Sequence, residues 1–318
     1  MIFDMKHNPF PAALLTLGVV YSLTPWSSAV FALAAGVFVA VVVGNPFADK
    51  TKLYAQKLLA YSIIGLGAGM NLEIVSKVGM SGFGYTVISI TLTLLLGVFI
   101  GKLVKSDSDT SVLISVGTAI CGGSAIAALA PVLKAKPHAI SVALGTVFLL
   151  NALALIIFPG IGHFFSLSQH QFGLWSALAI HDTSSVVGAG LQYGAEALQT
   201  GTTVKLARAL WIVPLTIGFG YFHKNKEDKP EAKTKKPWFI LCFLCMAGIV
   251  TWLPAMQEIG HGIEAIARKT LVLTLFLIGA NLTLATLKSV GFRPFLQGFL
   301  LWILVSAGTL ISILLTSS

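Results

Sequence analysis

Charge is what this chain has least of. Only 10% of its 318 residues are Asp, Glu, Lys or Arg, against about 25% in an ordinary soluble domain. Hydrophobic residues make up 56%, and the mean hydropathy is +0.87. So few charges cannot cover a surface that faces water on all sides, which excludes a soluble globular protein and leaves an integral membrane protein. Long hydrophilic blocks are also missing. The one extended polar stretch is 223–237, "HKNKEDKPEAKTKKP", which reads as a linker. Cysteine is sparse. Of three, Cys242 and Cys245 fall inside the apolar run "FILCFLCMAGIV", where a C-x-x-C reads as packing rather than redox chemistry. No His/Cys cluster has metal-ligand spacing, and there is no phosphate-binding or dinucleotide glycine loop. No metal, no cofactor and no use of ATP is expected.

What the chain has instead is continuous apolar runs, too long for the alternating segments of about ten residues that build a membrane β-barrel. They mark about eleven helical spans, near 10–26, 27–45, 53–72, 82–102, 111–134, 138–159, 172–195, 200–222, 238–257, 265–286 and 294–315. The run after Lys6 lacks a small-residue cleavage site, so it reads as a helix and not a signal peptide. Lys50, Lys52, Lys102, Lys105 and the lysines of 223–237 fall in loops on the N-terminal side. The opposite loops hold only Lys77, Lys134, Lys136, Arg268 and Lys269. Basic loops stay in the cytoplasm, so the N-terminus is expected inside and the C-terminus outside. The net charge of +9 is then topological, with anionic lipid as neighbour and no nucleic acid implied.

Three motifs interrupt the spans. "CGGSAIAALAP" sets Cys121, Gly122, Gly123 and Ser124, small and partly polar, where a buried helix would carry Leu or Val. A break there frees backbone N–H groups at the start of a second half-helix, a ready place for an anion. "FLIGANLTLATLK" sets Gly279, Ala280 and Asn281 inside the tenth span. "GLGAGMNL" at 65–72, with Asn71, resembles it from a non-equivalent place. Ionisable residues inside spans are costly and point to cavities or pairs. Here they are Asp182, beside His181 and followed by Thr183 and Ser184 in "HDTSSVVGAG", and the pair Lys205 and Arg208. The pair lies three apart on one helix face. Either Asp182 pairs with Arg208 to hold two helices together, or the cationic face helps to bind an anion while His181 and Asp182 carry a proton.

The spans divide into one leading helix and two sets of five, with an interruption in the fourth of each set. Sets of five insert with opposite orientation, the pattern of an inverted-repeat transporter with two discontinuous helices crossing near the midplane. The expected fold is therefore all-α and integral to the membrane, as a single polytopic domain. Residues 1–26 form an extra N-terminal helix and 27–159 the first repeat. Residues 160–222 and 238–318 form the second repeat, and 223–237 a charged cytoplasmic loop.

In this order, "GLGAGMNL", "GTAICGGSAIAALAPV", "HDTSSVVGAG" and "KLARALWIVP" resemble a bacterial family of inner-membrane proteins named as sulfate exporters, over nearly the whole chain. More distantly, "CGGSAIAALAPVLKAKPHAISVAL" is similar to the broken helix of bile-acid/sodium symporters. It lacks their Pro before the glycines and Asn after them, and no acidic residue stands by Asn281, which weighs against sodium coupling. The resemblance implies a secondary transporter in the bacterial inner membrane for a small anion, sulfate or an organosulfonate, compatible with a homodimer. The expected substrate-binding residues are Asn71, Cys121, Gly122, Gly123, Ser124, His181, Asp182, Thr183, Ser184, Lys205, Arg208 and Asn281, with His181 and Asp182 coupling a proton. A cation/proton antiporter using Asp182 is the alternative. An intramembrane hydrolase using Ser124 and His181 is disfavoured, because no nucleophile elbow accompanies them, and no catalytic residue is assigned.

Overall fold

The computed structural model describes residues 10–70, 72–222, 238–281 and 291–316; Asn71 and the segment 223–237 lie outside the described residues. Among the described residues all regular structure is helical. Four stretches are long and apolar enough to cross a bilayer: Phe83–Leu103, His138–Phe164, Ala195–Tyr221 and Phe292–Thr316. Shorter apolar helices occupy Phe10–Leu23, Phe31–Val42 and Phe239–Trp252. The chain divides into two compact units, Met1–Ile74 with Pro237–Ala285, and Val75–Lys236 with Thr286–Ser318.

The first unit contains α1 (Phe10–Leu23), α2 (Ala29–Val42), α3 (Ala48–Gly67), α12 (Trp238–Trp252) and α13 (Gln257–Gly279). Helix α2 starts where Ser28 accepts a hydrogen bond from the Phe31 N–H, satisfying one of the free donors at its first turn. Helices α2 and α13 touch backbone to backbone at Gly36 and Gly279. A Cβ on Gly36 would collide with the Phe276 carbonyl, and one on Gly279 with the Leu33 carbonyl. Small residues at such seams let membrane helices gain dispersion contact that lipid does not provide. Both α3 and α13 end on Gly-Ala, at Gly67–Ala68 and Gly279–Ala280. The two interrupted motifs that the sequence placed in non-equivalent spans therefore play the same part, as the ends of two helices packed together.

The second unit holds α4 (Leu72–Leu103, from Val75), α5 (Ser108–Ala119), α6 (Gly123–Leu129), α7 (Pro137–Phe164), α8 (Gln169–Ala179), α9 (Thr183–Tyr193), α10 (Ala195–Ala209), α11 (Ile212–Phe222) and α14 (Phe292–Thr316). Pro159 inside α7 cannot donate to the Leu155 carbonyl. Gln192 Nε2 lies 3.5 Å from that oxygen. Gln297 of α14, fully buried, donates to the Gly97 carbonyl of α4 and the Ser111 hydroxyl of α5, at 3.0 and 2.9 Å. Trp175 stacks on Phe158 at 4.2 Å and donates to the Ser306 carbonyl at 2.9 Å, tying α8 to α7 and α14.

The apolar run 172–195, read from the sequence as one span, is a helical hairpin. Tyr193 at the end of α9 stacks on Phe172 near the start of α8, with centroids 3.8 Å apart, and donates to the Leu167 carbonyl at 2.7 Å. Gln169 at the head of α8 accepts from the Glu196 N–H at 3.0 Å. The chain thus returns to where it entered, with its bend at 180–182. Helix α10 runs beside both arms, Gly173 of α8 lying against Thr200 and Gly190 of α9 against Leu198. The run 111–134 also bends back: a Cβ on Gly117 of α5 would stand 2.9 Å from Ile126 Cδ1 of α6. Each arm of the α8–α9 hairpin has 11 residues, about 16 Å of helix, or half of a hydrocarbon core about 30 Å thick.

Candidate functional site at the hairpin tips

The first tip is made by glycine. Helix α5 ends at Ala119, and the Gly122 N–H closes its last turn on the Gly117 carbonyl at 2.8 Å. Gly122 then takes φ 66°, ψ −125°, a region open in practice only to glycine. The second tip is made by a cap. Asp182 leaves the helix at φ −103°, ψ 159°, and its carboxylate accepts from the Ser185 N–H at 2.6 Å, starting α9. The tips meet: a Cβ on Gly122 would lie 3.3 Å from Asp182 Cβ and 3.4 Å from the His181 carbonyl carbon. Helix α7 passes behind both, with Val147 3.2 Å from the same position and Asn151 Oδ1 accepting from the His181 N–H at 3.0 Å.

Lys205 and Arg208, one turn apart on α10, are both 0% exposed. Lys205 Nζ donates to the Ile180 and Ala177 carbonyls at 2.6 and 3.2 Å. Arg208 Nε donates to Ala119 at 2.7 Å, and Nη1 to Leu178 at 2.5 Å and Ala177 at 3.4 Å. Nη2 reaches Ser89 Oγ on α4 at 3.4 Å. These carbonyls are the unpaired C-terminal ends of α5 and α8, where each helix carries about −0.5 charge. The cations neutralise both ends at once and fasten the hairpins to α10.

Of the two readings that the sequence leaves open for these charges, the ion pair is not formed. Asp182 and Arg208 form no salt bridge, because Asp182 is spent on capping α9 and Arg208 on main-chain oxygens. Nor do Lys205 and Arg208 present an open cationic face. The polar positions reachable at the tips are Ser124, exposed, and Gly123, Asp182 and Thr183, part-exposed; Cys121, Gly122, His181 and Ser184 are buried.

Helix α13 ends at Gly279, where the sequence places the second interruption. Gly279, Ala280 and Asn281 belong to the first unit. There Asn281 Nδ2 donates to the Leu277 carbonyl at 2.6 Å, and its Oδ1 lies 3.1 Å from Thr51 Oγ1. Asn45 donates to the Ala280 carbonyl and to Thr51 at 2.9 and 2.8 Å. The knot ties the Asn281 amide to its own helix end and to Thr51. Asn71 lies outside the described residues. Within the second unit the structure brings Cys121–Ser124, His181–Ser184, Lys205 and Arg208 together; Asn281 belongs to the first unit.

Sequence reasoning missed Asn151 and Ser89. Asn151 had a signal, as the lone polar residue in "VFLLNALALIIF". Ser89 had none. Among buried side chains, Asn151 Nδ2 and both ring nitrogens of His181 complete no hydrogen bond to protein. The Val147 carbonyl stands near the His181 ring outside bonding geometry.

Comparison with known proteins supplies the family. A family model described as "Conserved hypothetical protein 698" matches residues 12–298. The chain belongs to this family. A UPF0324 membrane protein of Bdellovibrio bacteriovorus is 62% identical over 314 residues, covering 98% of this chain and 97% of its own length. UPF0324 membrane proteins of Porphyromonas gingivalis and Bacteroides thetaiotaomicron are 52% and 50% identical, covering 93% of this chain and 89% and 90% of theirs. No solved structure matches the chain. These relatives' names and the apolar helices agree that this Conserved hypothetical protein 698 member is a membrane protein.

Proposed function

We propose that the chain is a secondary transporter that carries a small anion across the bacterial inner membrane by alternating access, with the hairpin tips as its substrate site. The observation that carries this reading is the meeting of two helix breaks beside two buried cations bonded only to neutral oxygens. Irregular backbone at membrane depth is retained where it lines a cavity or a path. Opposed breaks of this kind are how secondary transporters hold substrate near the midplane. The resemblance to sulfate exporters points the same way, and makes sulfate or an organosulfonate the first substrates to try.

Both hairpins are taken as re-entrant, the α5–α6 hairpin from the N-terminal side and the α8–α9 hairpin from the opposite side. Nine crossings then remain of the eleven expected, and the termini still face opposite sides. Lys134 and Lys136, after α6, move to the cytoplasmic side. The opposite loops keep only Lys77, Arg268 and Lys269, which strengthens the bias of basic loops toward the cytoplasm.

Uptake by proteoliposomes tests the reading. Labelled sulfate or methanesulfonate should accumulate in vesicles holding the protein and not in empty ones. Asp182→Asn separates the alternative: a cation/proton antiporter needs that carboxylate to hold its cation and stops, while an anion carrier still binds its anion, because Asn still caps α9. Sodium/proton exchange that Asp182→Asn abolishes, with no anion flux, would replace this proposal.

A further inference from the structure

The anion reading leaves open which kind of anion, and the groups behind the tips speak to that. Asn151 sits at mid-length in α7 and is 2% exposed. Its Oδ1 is fixed as the acceptor of the His181 N–H, so Nδ2 is fixed on the other side of the amide as a donor. That donor bonds nothing in the protein, and neither ring nitrogen of His181, 1% exposed, completes a bond. A buried donor left unpaired costs about 1–3 kcal/mol, so groups like these are retained where they serve a bound species. Asn151 and Val147 lie one turn apart on α7, and Val147 touches the Gly122 position where the tips meet. The unpaired groups therefore stand directly behind the meeting point.

The charges at the same place can be counted. The C-termini of α5 and α8 contribute about −0.5 each and the N-terminus of α9 about +0.5. With Lys205 and Arg208 positive and Asp182 negative, no more than about one positive charge remains in excess. A charge held in a medium from which water is excluded needs a counter-charge of the same size. A neutral imidazole offers one donor and one acceptor. A third cation at His181 would stand beside Lys205 and Arg208 with only Asp182 to offset it. Cys121 is the other titratable side chain at this place.

We propose that the hairpin tips hold a monovalent oxyanion, with the Asn151 amide N–H donating to one oxygen and His181 completing the contact, in preference to a divalent one. This rests on the anion-transport reading and names the class of anion. Sulfonates and singly charged oxyacids carry the right charge and several acceptor oxygens. Sulfate carries twice the charge that the tips compensate.

Calorimetric titration of the purified full-length protein tests it, with sodium methanesulfonate, sodium sulfate and sodium chloride as probes. Methanesulfonate should bind about tenfold or more tightly than sulfate, the effect of one unsatisfied charge interaction. Asn151→Asp keeps an oxygen for the His181 N–H and exchanges the free donor for a negative charge, which the excess positive charge at the tips offsets. It should weaken methanesulfonate binding at least about tenfold while its melting temperature stays close to that of the unsubstituted protein. Asn151→Leu removes both functions and should lose binding and stability together. Sulfate binding as tightly as methanesulfonate would overturn the charge inference and leave anion transport standing. Asn151→Asp binding like the unsubstituted protein would remove Asn151 from the site. Chloride binding as tightly as methanesulfonate would show that the donors do not recognise an oxyanion. No binding of any of the three would sink the anion reading itself.

Discussion

The segments Cys121–Ser124 and Ile278–Asn281 look alike in sequence, each a small, polar interruption of an apolar run, yet the fold uses them in opposite ways. At Asn281 the polar groups are closed among themselves: Asn281, Thr51 and Asn45 bond one another and the carbonyls of Leu277 and Ala280. At Gly122 the local groups are left open. The Ala119 carbonyl at the end of α5 is taken by a cation 89 residues away in sequence. The neighbouring Asn151 and His181 keep unbonded donors. A polar group satisfied within its own turn fixes a helix end. Polar groups that need distant partners, or that find none, mark a place built to receive something.

Three substitutions sharpen this contrast. The largest effect is expected for Arg208→Met. It uncovers the Ala119 and Leu178 carbonyls and cuts the side-chain link between the α5–α6 hairpin and α10, leaving Lys205 to hold the end of α8. A loss of about 1–3 kcal/mol for each carbonyl left unsatisfied follows. Thermal melting in detergent checks it; a melting temperature within a degree or two of the unsubstituted protein would show that the carbonyls do not need the cation. Next comes Gly122→Ala. Any Cβ strains the backbone at φ 66°, ψ −125° and crowds Val147 and Asp182 at 3.2 and 3.3 Å. About 1–3 kcal/mol of stability should go, and transport should fall with it. Gly123→Val should be milder, because there the nearest neighbours are ring atoms of Phe148 at 3.1 Å, which can give way. Equal damage at both glycines would mean that the tip contact is not what makes Gly122 necessary.

The smallest effect is expected in the other unit. Asn281→Ala removes one amide from the knot and should cost about 1 kcal/mol. Anion affinity and transport should remain as they were. A large loss of affinity with an unchanged melting temperature would place Asn281 back in the substrate site and undo the contrast.

Much of this was legible in the residues. Scarce charge and long apolar runs required a membrane protein with helical spans, and the family comparison agrees. The glycines at 122–123 forecast a break that the backbone shows. Asp182 before Thr183, Ser184 and Ser185 is an equally plain start signal for a helix, but a charge inside an apolar run also reads as one in need of a partner. The partners of Lys205 and Arg208 were not legible, because main-chain carbonyls have no letter in a sequence. Asn151 was visible as a lone polar residue, but its meaning came from having one half bonded and the other free.

The sequence by itself determined the solvent, the helical class and the places where helices cannot continue, since hydropathy and glycine or cap chemistry act within a few residues. Whether an interrupted apolar run crosses the membrane or turns back was decided only by tertiary structure. Two arms of 11 residues and a bend have the length and hydropathy of one continuous span. The contacts that distinguish them, Tyr193 with Phe172 and Leu167, join residues more than 20 apart and leave no periodic trace. Fold-level contact also chose which interruption closed on its own helix end and which met a second helix break. That choice depended on where Lys205, Arg208 and Asn151 came to lie, and no local pattern specifies it.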